Sequence, residues 1–161
     1  AALLSPAPCL IEEPTCPEGR GTADPFAIVG APFIKAEAFS RAFNALGCPG
    51  VESTPVYFNP TTSKHEGALC GGIHLHITDE ARLQPVAMGV KLLDLLRKTY
   101  PEDFRFLPPV REDGKPFLSL LAGHRDFERP DWDAEALLAR YRKESEAFRQ
   151  RKAPYERYPR G

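Results

Sequence analysis

Residues 72–79 read GIHLHITD, and the alternation inside this stretch decides which fold class the chain can adopt. Strand side chains point to opposite faces with period two, so Ile73, Leu75 and Ile77 share one face while His74, His76 and Thr78 share the other. One face belongs to a core and the other to solvent or a cleft. Immediately afterwards the period changes. In QPVAMGVKLLDLLRKTYP (84–101), Pro85 suits a first helical position, and Val86, Val90, Leu93 and Leu96 form an apolar stripe that stops before Pro101. A half-buried strand followed by a one-sided helix calls for a sheet with helices packed against it.

Working outward, KAEAFSRAFNALG (35–47) places Phe39, Ala42, Phe43 and Leu46 at helical spacing, with Gly47 as a stop. VESTPVYFNP (51–60) reads as a strand beginning near Val51, and TTSKHEGALCGG (61–72) as a long polar loop with glycine hinges. Towards the N-terminus, LLSPAPCLI (3–11) and FAIVGAPFI (26–34) read as short strands joined by shaped loops. Towards the C-terminus, FLSLLAGHRDF (117–127) predicts a short helix closed by Gly123. WDAEALLARYRKESEAFRQ (132–150) predicts a longer one carrying Leu137, Leu138, Tyr141 and Phe148. No internal repeat and no regular βαβ rhythm appear, which favours α+β over a doubly wound sheet. The expectation is a short β-sheet or partial barrel packed with three to four helices.

With 161 residues the chain fits one domain, and its formal net charge of −1 gives no electrostatic case for nucleic acid or an anionic membrane. Only the stretch from Arg149 to Arg160 is clearly basic; with Tyr155 and Tyr158 it reads as a solvated or docked terminal segment, and no nucleic-acid partner is expected. No apolar run approaches the roughly 18 residues of a membrane span. The opening AALLSPAPC lacks the pattern of a secretory signal, so a signal is expected to be absent or removed before this numbering begins. Cys9, Cys16, Cys48 and Cys70 form no CxxC pair, which argues against a zinc ribbon; buried free thiols are the plain reading, with a Cys9–Cys16 disulfide the alternative in an oxidising compartment.

CPEGRGTADPF (16–26) is the stretch richest in chemistry. It is neither G-x-x-x-x-G-K-[ST] nor G-x-G-x-x-G, and a proline follows it, so nucleotide binding is set aside. Gly19 and Gly21 permit a tight backbone, Arg20 supplies a planar donor fork and Thr22 a hydroxyl, groups that suit a carboxylate or a sugar. Glu12 and Glu18 are two carboxylates close in sequence, the usual equipment at a glycosidic bond, although pairing of Glu18 with Arg20 or a turn cap explains the residues more simply. His74 and His76 would need His65 or Asp79 to complete a metal site, and ordinary strand surface is the better reading, so no metal or other cofactor is expected. His65, in a loop, is the better ligand contact. No G-x-S-x-G elbow or Cys/His protease setting is present.

Taken in order, EGRGTADPFAIVGAPFI (18–34), PVYFNPTTSKHEGALCGGIHLHITD (55–79), QPVAMGVKLLDLLRKTYPEDF (84–104) and LLAGHRDF (120–127) resemble the YbbC-like family of NamZ-type exo-β-N-acetylmuramidases. The resemblance implies the C-terminal domain of a two-domain protein whose Rossmann-like N-terminal domain is absent from this chain and would be its partner. It implies a cleft between those domains, peptidoglycan fragments or muropeptides as substrate, and a periplasmic or extracellular location. Glu18 and Glu12 become the catalytic candidates. Arg20, Gly21, Thr22 and His65 become the substrate-binding candidates, with Arg20 suited to the lactyl carboxylate of muramic acid. Where the family tends to read E-G-T-N-x-S-E-G-R-G-T, this chain reads EEPTCPEGRGT, so Glu13, Pro14, Thr15 and Pro17 depart from it, and Pro17 removes a backbone donor beside Glu18.

Overall fold

The computed structural model describes residues 3–11, 19, 21–62, 65–106 and 114–157. The chain divides into two compact units, Ala1–Arg129 and Pro130–Gly161. The first unit is built on a three-stranded antiparallel sheet in the order β1-β3-β2, comprising β1 (Ile28–Ala31), β2 (Val51–Phe58) and β3 (Cys70–Ile77). β3 is the central strand. Its register sets His74 opposite Ile28 on one side and Thr54 on the other, and His76 opposite Glu52. Pro55 sits within β2, which is tolerable because β2 is an edge strand with one side free of ladder bonds.

Helix α2 (Ala36–Ala45) packs across β2 and β3 with Phe39 and Phe43 buried. Its polar residues do as much to fix the strand as its apolar ones. Ser53 on β2 is buried, and its outward N–H donates to Asn44 Oδ1 (2.8 Å) while its C=O accepts from Asn44 Nδ2 (2.9 Å). The side-chain amide thus completes the edge strand as another strand would. Ser40 Oγ lies 3.0 Å from Ser53 Oγ in the same buried patch. These bonds place α2 against the face that carries Ser53 and Leu75, so the face with His74, His76 and Thr54 is the opposite one.

Helix α3 (Pro85–Thr99) begins at Pro85 as its sequence predicts and buries Met88, Val90, Leu92, Leu93 and Leu96. Val86, expected in the stripe, is exposed, because the buried face is turned towards Met88 and Leu92. One expected strand is a helix. LLSPAPCLI forms α1 (Pro6–Ile11), with Ala7 and Ile11 fully buried. Pro6 stands in the first helical turn, where a missing N–H costs nothing. At the crossing with α3 a Cβ on Gly89 would stand 2.8 Å from Ala7 Cα, so the two backbones can meet only at glycine.

Helix α4 (Phe117–Ala122) closes on Gly123 at φ 74°, as expected, and runs into a single 3-10 turn, Asp126–Glu128. There Arg125 grips Glu128 with Nε and Nη2 (2.9 and 2.7 Å to Oε2), and Ser119 Oγ donates to Glu128 Oε1 (2.7 Å). In the second unit α5 (Ala134–Lys152) is capped by Asp133, whose Oδ1 accepts from the Ala136 N–H (2.6 Å). Phe148, assigned to its apolar side from sequence, is exposed. The class is α+β, with an open sheet and five α-helices among the described residues instead of three to four.

Candidate functional site

The face of the sheet away from α2 carries the polar residues. His74 and His76 stand side by side on β3, their rings 4.4 Å apart between centroids. Each is held from a different side. His74 Nε2 lies 2.9 Å from Asp24 Oδ2, and because a carboxylate only accepts, the imidazole N–H is the donor. His76 Nε2 lies 2.8 Å from Thr54 Oγ1 on the neighbouring strand. Both distal nitrogens are therefore committed to protein partners. Among the described residues no group of three or more His, Cys, Asp or Glu is arranged to hold a metal.

Asp24 comes from the segment after the glycines, and it brings that segment onto this face. Gly19 and Gly21 both adopt left-handed backbone, at φ 75° and 78°. A Cβ at Gly19 would stand 2.8 Å from Ile28 O, and one at Gly21 would stand 2.7 Å from Thr62 N. Neither position admits a side chain. Thr22 closes the turn, its N–H (3.1 Å) and Oγ1 (2.6 Å) both donating to Gly19 O. Thr61 reaches in from the loop after β2, donating to Gly21 O through its N–H (3.1 Å) and its hydroxyl (3.0 Å). Two loops thus meet at Gly21, and three residues on, Asp24 reaches His74.

Backbone strain gathers in the same two loops. Among the described residues the non-glycine positions with positive φ are Phe26 and His65, at 68° and 60°. Such conformations cost about 1–3 kcal/mol each and persist only where surrounding contacts enforce them. His65 lies in the Thr61 loop, where its C=O accepts from the Ala68 N–H (2.9 Å) and Pro60 O accepts from Gly67 N–H (2.9 Å). Of the candidates named from sequence, the structure joins Gly21 and Thr22 in one docked turn and places His65 further along the loop that holds it. Glu12, Glu18 and Arg20 lie outside the described residues, as does Cys16; Cys9, Cys48 and Cys70 are free thiols.

Asp24, Thr54 and Thr61 were not legible as site residues. Asp24 lies fifty positions from His74 and Thr61 forty from Gly21, and nothing local marks either pairing. The period-two placement of His74 and His76 was the only signal for this face. The result is a partly exposed strip of planar rings, hydroxyls and carboxylates, Glu52 included, bordered by the glycine turn. It can donate and accept hydrogen bonds towards a polar ligand.

The α+β fold built on this three-stranded open sheet has solved counterparts. A DUF1343 family protein from Bacteroides fragilis NCTC 9343 matches with a TM-score of 0.83 at 20% identity, covering 98% of this chain and 42% of that one. A second from the same strain matches with a TM-score of 0.58 at 23% identity, covering 99% and 41%. The family described as exo-β-N-acetylmuramidase NamZ, C-terminal, matches residues 3–158, and the chain belongs to it. Peptidoglycan β-N-acetylmuramidase NamZ of Bacillus subtilis (strain 168) is 44% identical over 107 residues, 66% of this chain and 26% of that protein. The chain spans less than half the length of each of these relatives.

Proposed function

We propose that this chain is the C-terminal part of a peptidoglycan-processing glycoside hydrolase of the exo-β-N-acetylmuramidase kind, and that its polar sheet face forms one wall of the substrate cleft. The observation that carries the reading is the docking of the Gly19–Asp24 turn onto that face, through Thr61 at Gly21 and His74 at Asp24, in a chain of the NamZ C-terminal family. Glu18 and Arg20 are the sequence neighbours of Gly19. In this reading Glu18, with Glu12, supplies a carboxylate to the glycosidic bond. Arg20 pairs with a sugar carboxylate, and Gly21, Thr22 and His65 line the subsite. The other wall belongs to a Rossmann-like N-terminal domain of the parent protein, and the location is periplasmic or extracellular, where muropeptides are met.

A chromogenic muramide tests this directly. The isolated 161-residue chain releases no muramic acid while the full-length parent does, and Glu18→Gln in the parent lowers turnover by about 100-fold or more, the scale of a lost acid–base group. Turnover by the isolated chain would sink the shared-cleft reading. The departures at Pro14 and Pro17 favour a second reading, a carbohydrate-binding module without catalysis. Tight muropeptide binding by the parent with no release of sugar would establish it.

A further inference from the structure

We infer that His74 is a positioning residue that sets the glycine turn in place, acting through Asp24. Three ties hold the described part of that turn. Thr22 bonds to Gly19 within the turn itself, and Thr61 bonds to Gly21 from a second loop. His74 links the segment by a side-chain pair to a strand bonded on both sides, since β3 pairs with β1 and β2. Its ring has little freedom. His76 lies against it at 4.4 Å and is itself bonded to Thr54 on β2, so the edge strand, the second histidine and the first form a continuous support ending at Asp24. Because the pair is 30% exposed on the histidine and 46% on the aspartate, the bond persists by geometry and charge, not by burial. The same register puts Ile28 opposite His74, and Ile28 O is the atom against which Gly19 rests. The strand position that aims the imidazole thus also seats the turn.

The consequence for turnover rests on the proposed function, whereas the consequence for the turn does not, and the experiment reads the two separately. Hydrogen exchange is followed at the Thr22 and Thr61 amides, which donate to Gly19 O and Gly21 O, with the Leu75 amide, bonded to Ala27 O, as an internal control. His74→Ala should speed exchange at Thr22 and Thr61 at least about 10-fold, the factor set by losing one hydrogen bond to a charged group, with Leu75 unchanged. His74→Gln, whose amide can still donate near the Nε2 position, should bring both rates back to within about threefold of the wild type. Asp24→Ala removes the same bond from the exposed side and should reproduce the Ala signature, which keeps the test decisive if the strand variant folds poorly. Unchanged exchange in Asp24→Ala, or no recovery in His74→Gln, would overturn the inference. In the full-length parent, kcat on a muramide should fall at least about 10-fold in His74→Ala and recover in His74→Gln, with KM moving less than threefold. A loosened turn with undiminished kcat would uphold the positioning role and reject the turn as a carrier of catalytic groups.

Discussion

Glu37 and Tyr57 show how a single surface contact leaves a pH signature. The Glu37 carboxylate, near the start of α2, accepts from the Tyr57 hydroxyl at 2.8 Å. The backbone hydrogen bond at its own position, then this hydroxyl, hold its pKa below the usual carboxylate range, and the same contact raises that of Tyr57. A depressed carboxylate adds stability above its unfolded pKa, and that contribution is lost as pH falls through the folded value. A raised phenol adds stability below its unfolded pKa, and that contribution is lost as pH rises through the folded value. The contact therefore works across the neutral range and fails at both ends. Tyr57→Phe should make the chain slightly less stable at pH 7 and move the Glu37 titration, read by carboxyl NMR, back towards that of a free glutamate. A Glu37 titration that ignores the substitution would show that the hydroxyl contributes nothing.

At the scale of an element, β2 depends on a residue of a helix. Its edge would leave the Ser53 N–H and C=O unpaired and buried, and the Asn44 amide satisfies both. Asn44→Ala should cost roughly 1–3 kcal/mol, the penalty for leaving buried polar groups without partners, measured by chemical denaturation. A loss near zero would mean that water replaces the amide. Periodicity predicted α2 and α3 because each buries one face, and an apolar stripe is written locally; in α5 the buried residues are Ala134, Leu137 and Leu138, all near its start. It did not predict α1, where the prolines of LLSPAPCLI read as loop punctuation and the helical state depends on α3 accepting it at Gly89. Nor did it reveal Asn44, since a polar residue on a helix reads as solvent-facing until the strand beside it is known.

At the scale of the molecule, cysteine reactivity reports on the closed state. Burial pushes the Cys48 and Cys70 thiols up from their ordinary pKa, Lys91 opposing it slightly at Cys48. Because the thiolate is the reacting form, both should label only as the chain unfolds, with half-buried Cys9 reacting earlier. Rapid native-state labelling of Cys70 at pH 8, mapped by mass spectrometry, would contradict the packing around β3. The sequence by itself determined the α+β class, the strand with its two-faced histidines, the helices that bury a stripe, and the family, because each is encoded by neighbours a few residues apart. Only the tertiary structure decided which residues meet on the polar face. Asp24 reaches His74 and Thr61 reaches Gly21 because antiparallel pairing brings β1 and β2 to either side of β3. Contacts of that kind depend on register and on left-handed glycines where no Cβ fits, and neither leaves a periodic trace in the chain.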